Sequence, residues 1–100
     1  MKRTVESEKT IEAYLRRLCK ENGWLCLKMR PVEVGYPDRL IVMPSGRTAW
    51  VEVKTTGKKP RPIQARRMEE LQRMDHSVWV ADTRKTVEDI IKTLGDGKGI

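Results

Sequence analysis

The sequence predicts a single α/β domain in which helices flank a small mixed sheet, in the order α-β-β-β-α-β-α. Three observations carry this. Apolar residues recur at helical spacing near both ends and once between them. Four short runs rich in valine, isoleucine, leucine and tryptophan, bounded by glycine and proline, read as strands. The chain of 100 residues is one domain's worth. We expect a core over about residues 6–94 and a tail over 95–100.

The first element is "SEKTIEAYLRRLCKENG", an amphipathic helix with Ile11, Tyr14, Leu15 and Leu18 as its apolar stripe and Asn22-Gly23 as its stop. "WLCLKM" reads as a strand over Trp24–Met29, and residues 30–37 form a loop with two prolines and one glycine. "DRLIVM", the turn "PSGR" and "TAWVEVK" make an antiparallel hairpin. "TTGKKPRP" is a basic loop, and Pro62 suits the first turn of the next helix, "IQARRMEELQRM", where its missing N–H costs nothing. Asp75-His76 turns the chain into the fourth strand, "SVWVAD". Thr86 with Asp89 resembles a capping box that starts the last helix, "VEDIIKTL", and "GDGKGI" is expected to fray.

The net charge of +7 is unevenly spread. Residues 1–30 carry eight Lys/Arg against four Asp/Glu, and residues 54–73 carry seven against two. Such a surface suits a polyanion, whose counterions are released on binding, although a basic face can also be simply solvated. Cys19 and Cys26 have no metal spacing and read as small core residues in a reducing compartment, so we expect a cytoplasmic protein. No apolar run approaches the roughly 18 residues of a membrane span, and "MKRTVESEKT" lacks the apolar stretch of a secretory signal. No membrane and no small-molecule cofactor are expected.

Two acids do not fit their strands. In "TAWVEVK", Ala49, Val51 and Val53 point one way, and Trp50, Glu52 and Lys54 the other. Asp38 opens the partner strand, behind Pro37, which fixes the backbone and removes a donor. Two carboxylates beside a lysine can hold a hard divalent cation and stabilise charge on a phosphoryl group. Taken alone, E-x-K is a common string that a cross-strand salt bridge on a solvated face also explains. Glu8 adds weight, because it precedes Ile11, Leu15 and Leu18 by three, seven and ten residues and so lies on the inner edge of the first helix. By the same count Glu12 lies further round and Glu6 faces away. Gln64 sits four residues before Met68 and seven before Leu71, in the middle of an apolar stripe, where a buried amide must find partners.

Pro37-Asp38 followed by Glu52-Val53-Lys54 resembles the PD-(D/E)xK nuclease signature. The fuller pattern is Glu8 on the first helix, "GYPDR", a short hairpin and "WVEVKTTGKKPRPIQ". It is similar to the virus-type replication-repair nuclease (VRR-NUC) domain over about residues 6–82, in stand-alone, phage-type form. One departure is Asp75-His76, where such domains more often have a glycine before the last strand. The resemblance implies a restriction-endonuclease-like core and hydrolysis of DNA phosphodiesters with Mg²⁺ or Mn²⁺. It implies Asp38, Glu52, the Val53 carbonyl and Glu8 as metal ligands, Lys54 as the catalytic lysine and Gln64 as an auxiliary polar residue. By analogy it implies a homodimer acting on branched DNA such as Holliday junctions or flaps.

The DNA itself is expected on Lys58, Lys59 and Arg61 of the basic loop and on Arg66 and Arg67 of the following helix. Tyr36, Trp50 and Trp79 are candidates for either core or dimer interface. Two alternatives stand beside this reading. One is a non-catalytic DNA-binding module of the same fold, which would have no need of three acids beside a polyanion. The other is an RNA-binding protein, for which the aromatic strand of an RNA-recognition sheet is missing.

Overall fold

Ser7 caps the first helix by accepting a hydrogen bond from the Thr10 N–H, and this fixes where the chain enters the domain. The computed structural model describes residues 4–30 and 33–97. Its elements run α1 (Glu8–Glu21), β1 (Leu25–Lys28), β2 (Arg39–Val42), β3 (Thr48–Val53), α2 (Pro62–Arg73), β4 (Ser77–Ala81) and α3 (Arg84–Gly95). The order is the one the sequence predicts. Each strand is a residue or two shorter than expected, because pairing stops where the connecting turns begin. The "PSGR" turn is a short 3-10 turn over Pro44–Gly46, closed by the Met43 N–H donating to the Arg47 carbonyl at 2.9 Å.

The four strands lie in the order β1-β2-β3-β4. The first three pair antiparallel, and β4 adds parallel to β3 through the α2 crossover. α1 and α3 pack on one another and on one face of the sheet. Ile11, Leu15 and Cys19 of α1 and Val87, Ile90 and Leu94 of α3 close over Ile41, Ala49 and Val51. Cys26 is half-buried against the same core, and both cysteines are free thiols. α2 lies on the opposite face, at the β4 side, where only Gln64 and Met68 of its residues are buried.

The last helix corrects the sequence expectation. It begins at Arg84, with Thr83 as its cap, and Thr86 is its third residue. The two threonines bond reciprocally: Thr86 N–H donates to Thr83 Oγ1 at 2.9 Å, and Thr83 N–H to Thr86 Oγ1 at 3.0 Å. Thr83 follows β4 in extended conformation and so reaches the capping position first. Asp89 instead pairs with Lys85 on the helix surface. Asp75 adopts φ 65°, a left-handed conformation that aspartate tolerates, so the turn needs no glycine there. Residues 98–100 of the expected tail lie outside the described residues.

Candidate active site

The "GYPDR" segment is shaped by contact with α2. Gly35 has φ +100°, and a Cβ there would meet Ile63 Cγ1 at 2.9 Å and Arg67 Cγ at 3.0 Å. Only glycine lets the loop lie this close. The Arg67 guanidinium sits 5.2 Å over the Tyr36 ring, donates to the Val34 carbonyl and pairs with Glu70 and Glu33. Pro37 is fully buried. Asp38 is therefore presented from a braced backbone, whose carbonyl accepts the Met29 N–H at 2.6 Å.

The N-terminal segment is pinned beside it. The buried Thr56 hydroxyl donates to the Asp82 carbonyl at 2.7 Å and accepts the Glu6 N–H at 2.9 Å, while the Thr56 N–H donates to the Glu6 carbonyl. This ties the start of α1 to the ends of β3 and β4, and so sets Glu8 over the end of β3. Glu6 does not face away from the fold. Its carboxylate accepts both the backbone N–H and the guanidinium of Arg84, which holds its carboxyl below the usual range. The helical count failed there because Glu6 precedes the helix.

Glu8, Asp38, Glu52, Val53 and Lys54 line one polar pocket of about 210 Å³. The structure thus brings together five of the residues singled out from the sequence, and Gln64 supports them from behind. Gln64 is buried; its Nε2 donates to Glu52 Oε2 at 2.9 Å and its Oε1 accepts the Arg61 N–H at 2.9 Å. Lys54 Nζ lies 3.3 Å from the same Glu52 oxygen. Both donors converge on one carboxylate oxygen and hold Glu52 in a single orientation.

Glu12 and Lys28 also line the pocket and were not singled out from the sequence. Glu12 pairs with the buried Arg39 at 3.0 Å, a contact between α1 and β2 that no local pattern announces. The two buried-side acids are pushed in opposite directions. The Arg39 hydrogen bond holds the Glu12 carboxyl below its ordinary value. Burial pushes Glu52 up; Lys54 opposes the rise, and the charges of Asp38 and Glu8 add to it. Glu12 is paired with Arg39, whereas Glu52 is paired with Lys54 and shares its pocket with two further acids, Asp38 and Glu8.

Among the described residues, no three Asp, Glu, His or Cys side chains are drawn close enough together to hold a metal ion as they stand. The donor set is nevertheless of the kind a hard cation takes: carboxylate oxygens in a small polar pocket, one of them destabilised by burial and, to a lesser degree, by its acidic neighbours. Of the expected DNA contacts, Lys58, Lys59, Arg61 and Arg66 are exposed. Arg67 differs: it is half-buried and committed to Tyr36, Glu70 and Glu33. Tyr36, Trp50 and Trp79 are all half-buried, and Trp79 packs against the core with its Nε1 donating to Ser77 Oγ. No helix among the described residues is long and apolar enough to cross a membrane.

No protein-family model matches the chain. A relative from Acyrthosiphon pisum secondary endosymbiont phage 1, "Putative nuclease p44", is 36% identical over 78 residues, which cover 77% of this chain and 84% of the relative. A solved structure of a "VRR_NUC domain" superposes with a TM-score of 0.80 at 28% identity, covering 87% of this chain and 97% of that one.

Proposed function

Starting from the fact that the chain belongs to the VRR-NUC family of nucleases, we propose that it is a metal-dependent endonuclease that hydrolyses phosphodiester bonds in DNA, with a preference for branched structures such as Holliday junctions or flaps. One observation carries this reading: Lys54 and Gln64 both donate to the same oxygen of a buried Glu52 that shares its pocket with Asp38 and Glu8. A solvated surface salt bridge has no use for a buried amide clamp or for two further acids.

Asp38, Glu52, Glu8 and the Val53 carbonyl would hold Mg²⁺ or Mn²⁺. Bound there, such an ion supplies Lewis acidity at a phosphoryl oxygen and lowers the pKa of a water molecule. The chain's own residues do the rest. Gln64 fixes the Glu52 carboxylate, as a partner behind a metal ligand does. Lys54 presents a fixed positive charge where charge develops on the phosphoryl group. Glu12 holds Arg39, which keeps a buried cation from competing for the other acids. Lys58, Lys59, Arg61 and Arg66 hold the DNA backbone.

The proposed working form is a homodimer, since one such site cuts one strand and a two-fold pair could make matched cuts across a junction. Trp50 offers the contact: it is half-buried on the sheet face that α2 covers only at the β4 side, and it pairs with Leu40 and Val78 across the strands. The free thiols suit the cytoplasm, that of the host cell for a viral protein.

The test is cleavage of linear, flap, fork and four-way-junction DNA by purified protein with Mg²⁺, Mn²⁺ or EDTA. Asp38→Ala and Glu52→Ala should abolish cleavage and leave DNA affinity intact. Full cleavage by either variant, or in EDTA, overturns the reading. A monomeric mass of 11.6 kDa in solution removes the dimer.

A further inference from the structure

Three of the acids lining the pocket are fixed by their own neighbours. Glu12 pairs with Arg39, and Glu52 is clamped by Lys54 and Gln64. Asp38 follows the buried Pro37, and its carbonyl accepts the Met29 N–H. Glu8 is different. It is exposed, and among the described residues its side chain forms no hydrogen bond or ion pair. Its carboxylate therefore stands wherever the first turn of α1 puts it.

That turn is set by a threonine of the basic loop. Thr55–Lys58 is a turn closed by the Lys58 N–H donating to the Thr55 carbonyl at 2.9 Å, with Gly57 at φ +86° in the third position, where such a turn requires glycine. Lys58 and Lys59 are exposed, and Thr56 between them and the strand is buried. The Thr56 hydroxyl donates to the Asp82 carbonyl at 2.7 Å and accepts the Glu6 N–H at 2.9 Å, so it is used both as donor and as acceptor. The Thr56 N–H donates to the Glu6 carbonyl at 3.1 Å. Glu6 lies just ahead of Glu8, and Thr56 just beyond Lys54, whose N–H donates to the Ala81 carbonyl at 2.9 Å. A bond between any two surface segments would serve stability alone. This one joins two segments that both carry pocket residues, and one of those residues has no side-chain partner to fix it.

We propose that Thr56 is a positioning residue for Glu8: its buried hydroxyl holds the start of α1 against the strand that carries Glu52 and Lys54, and so fixes where the third acid of the pocket stands. The inference rests on the nuclease reading and deepens it by naming what places a ligand that has no partner of its own.

Mn²⁺ binding to the DNA-free protein, followed by calorimetry, tests it without cleavage. Thr56→Val keeps the shape of the side chain and removes both hydroxyl bonds. It should bind Mn²⁺ about tenfold more weakly, as loss of a partner behind a metal ligand does. Thr56→Ser keeps the hydroxyl and should bind as wild type does. In the Glu8→Gln background Thr56→Val should change nothing further, because the group it positions is already gone. Ile90→Val, a core change that does not line the pocket, is the control: it should lower the melting temperature and leave Mn²⁺ affinity alone. Arg84→Gln replaces Thr56→Val if that variant does not fold. It is an exposed change that frees the Glu6 carboxylate from its charged partner. Loss of a positive charge would by itself favour a cation, so weaker Mn²⁺ binding by Arg84→Gln reports a displaced Glu8. Wild-type affinity in folded Thr56→Val, or in Arg84→Gln where it stands in, overturns the proposal. So does an equal loss from Thr56→Val with and without Glu8. Wild-type cleavage is scored separately. Its absence with Mn²⁺ binding intact would remove the catalytic reading and leave the positioning of Glu8, whereas a wild type that takes up no Mn²⁺ removes both.

Discussion

Gln64 donates its amide to Glu52 Oε2 across 2.9 Å, and its other end accepts the Arg61 N–H at the start of α2. One side chain thus joins the helix cap to the acid it orients. Gln64→Met keeps the volume and removes both contacts. It should lower activity by about 10- to 100-fold, as loss of a ligand's supporting partner does, and should raise the Mg²⁺ concentration needed for half-maximal rate. A metal titration of cleavage separates this from simple loss of fold, because excess metal should recover part of the rate.

Lys54 lies 3.3 Å from the same oxygen. Removing a preorganised donor of this kind costs on the order of 10²–10³ in turnover. Lys54→Ala should show that loss in single-turnover cleavage with DNA affinity little changed. A defect confined to affinity would make Lys54 a phosphate anchor and nothing more.

Glu8 and Glu12 line the same pocket but have different partners. Glu12→Gln leaves the buried Arg39 without its counter-charge and should cost about 1–3 kcal/mol of stability in urea unfolding. Glu8→Gln should leave stability almost unaltered and reduce cleavage more than Glu12→Gln does. The opposite ranking in cleavage would move the third acidic ligand to Glu12.

Glu52 carries a pH signature. Its carboxyl is raised in the fold by burial, so ionising it at neutral pH costs stability. That cost is fully present above its folded pKa and disappears as pH falls from there to the ordinary carboxylate value. In EDTA, Glu52→Gln should therefore melt a few degrees above wild type at neutral pH, and the gap should close across that acidic window. Glu12 has the opposite sign: its contribution is present above its unfolded value and lost as pH falls through its lower folded value, equally in both proteins. Mg²⁺ should raise the melting temperature of wild type and not of the variant. Identical melting curves from neutral to acid pH would show Glu52 to be unstrained.

Local patterning determined the element order, because period 2 and period 3.6 are written residue by residue. It placed Glu52 and Lys54 on one strand face, and it put Gln64 in a buried stripe where an amide must find partners. "GYPDR" and the E-V-K run were legible through their resemblance to a nuclease signature, since E-x-K alone is a common string. Tertiary structure decided the rest. Glu12 is committed to Arg39 across 27 residues of chain, so two acids one helical turn apart have different electrostatic surroundings. Arg67 belongs to Tyr36 and Glu70 because Gly35 brings its loop onto α2. Thr56 pins the chain before α1 to the ends of β3 and β4 and turns Glu6 toward Arg84. The apolar side of β1 lies open because α2 crosses over beside β4. Each of these depends on which distant segments meet, and periodicity records only a residue's immediate neighbours along the chain.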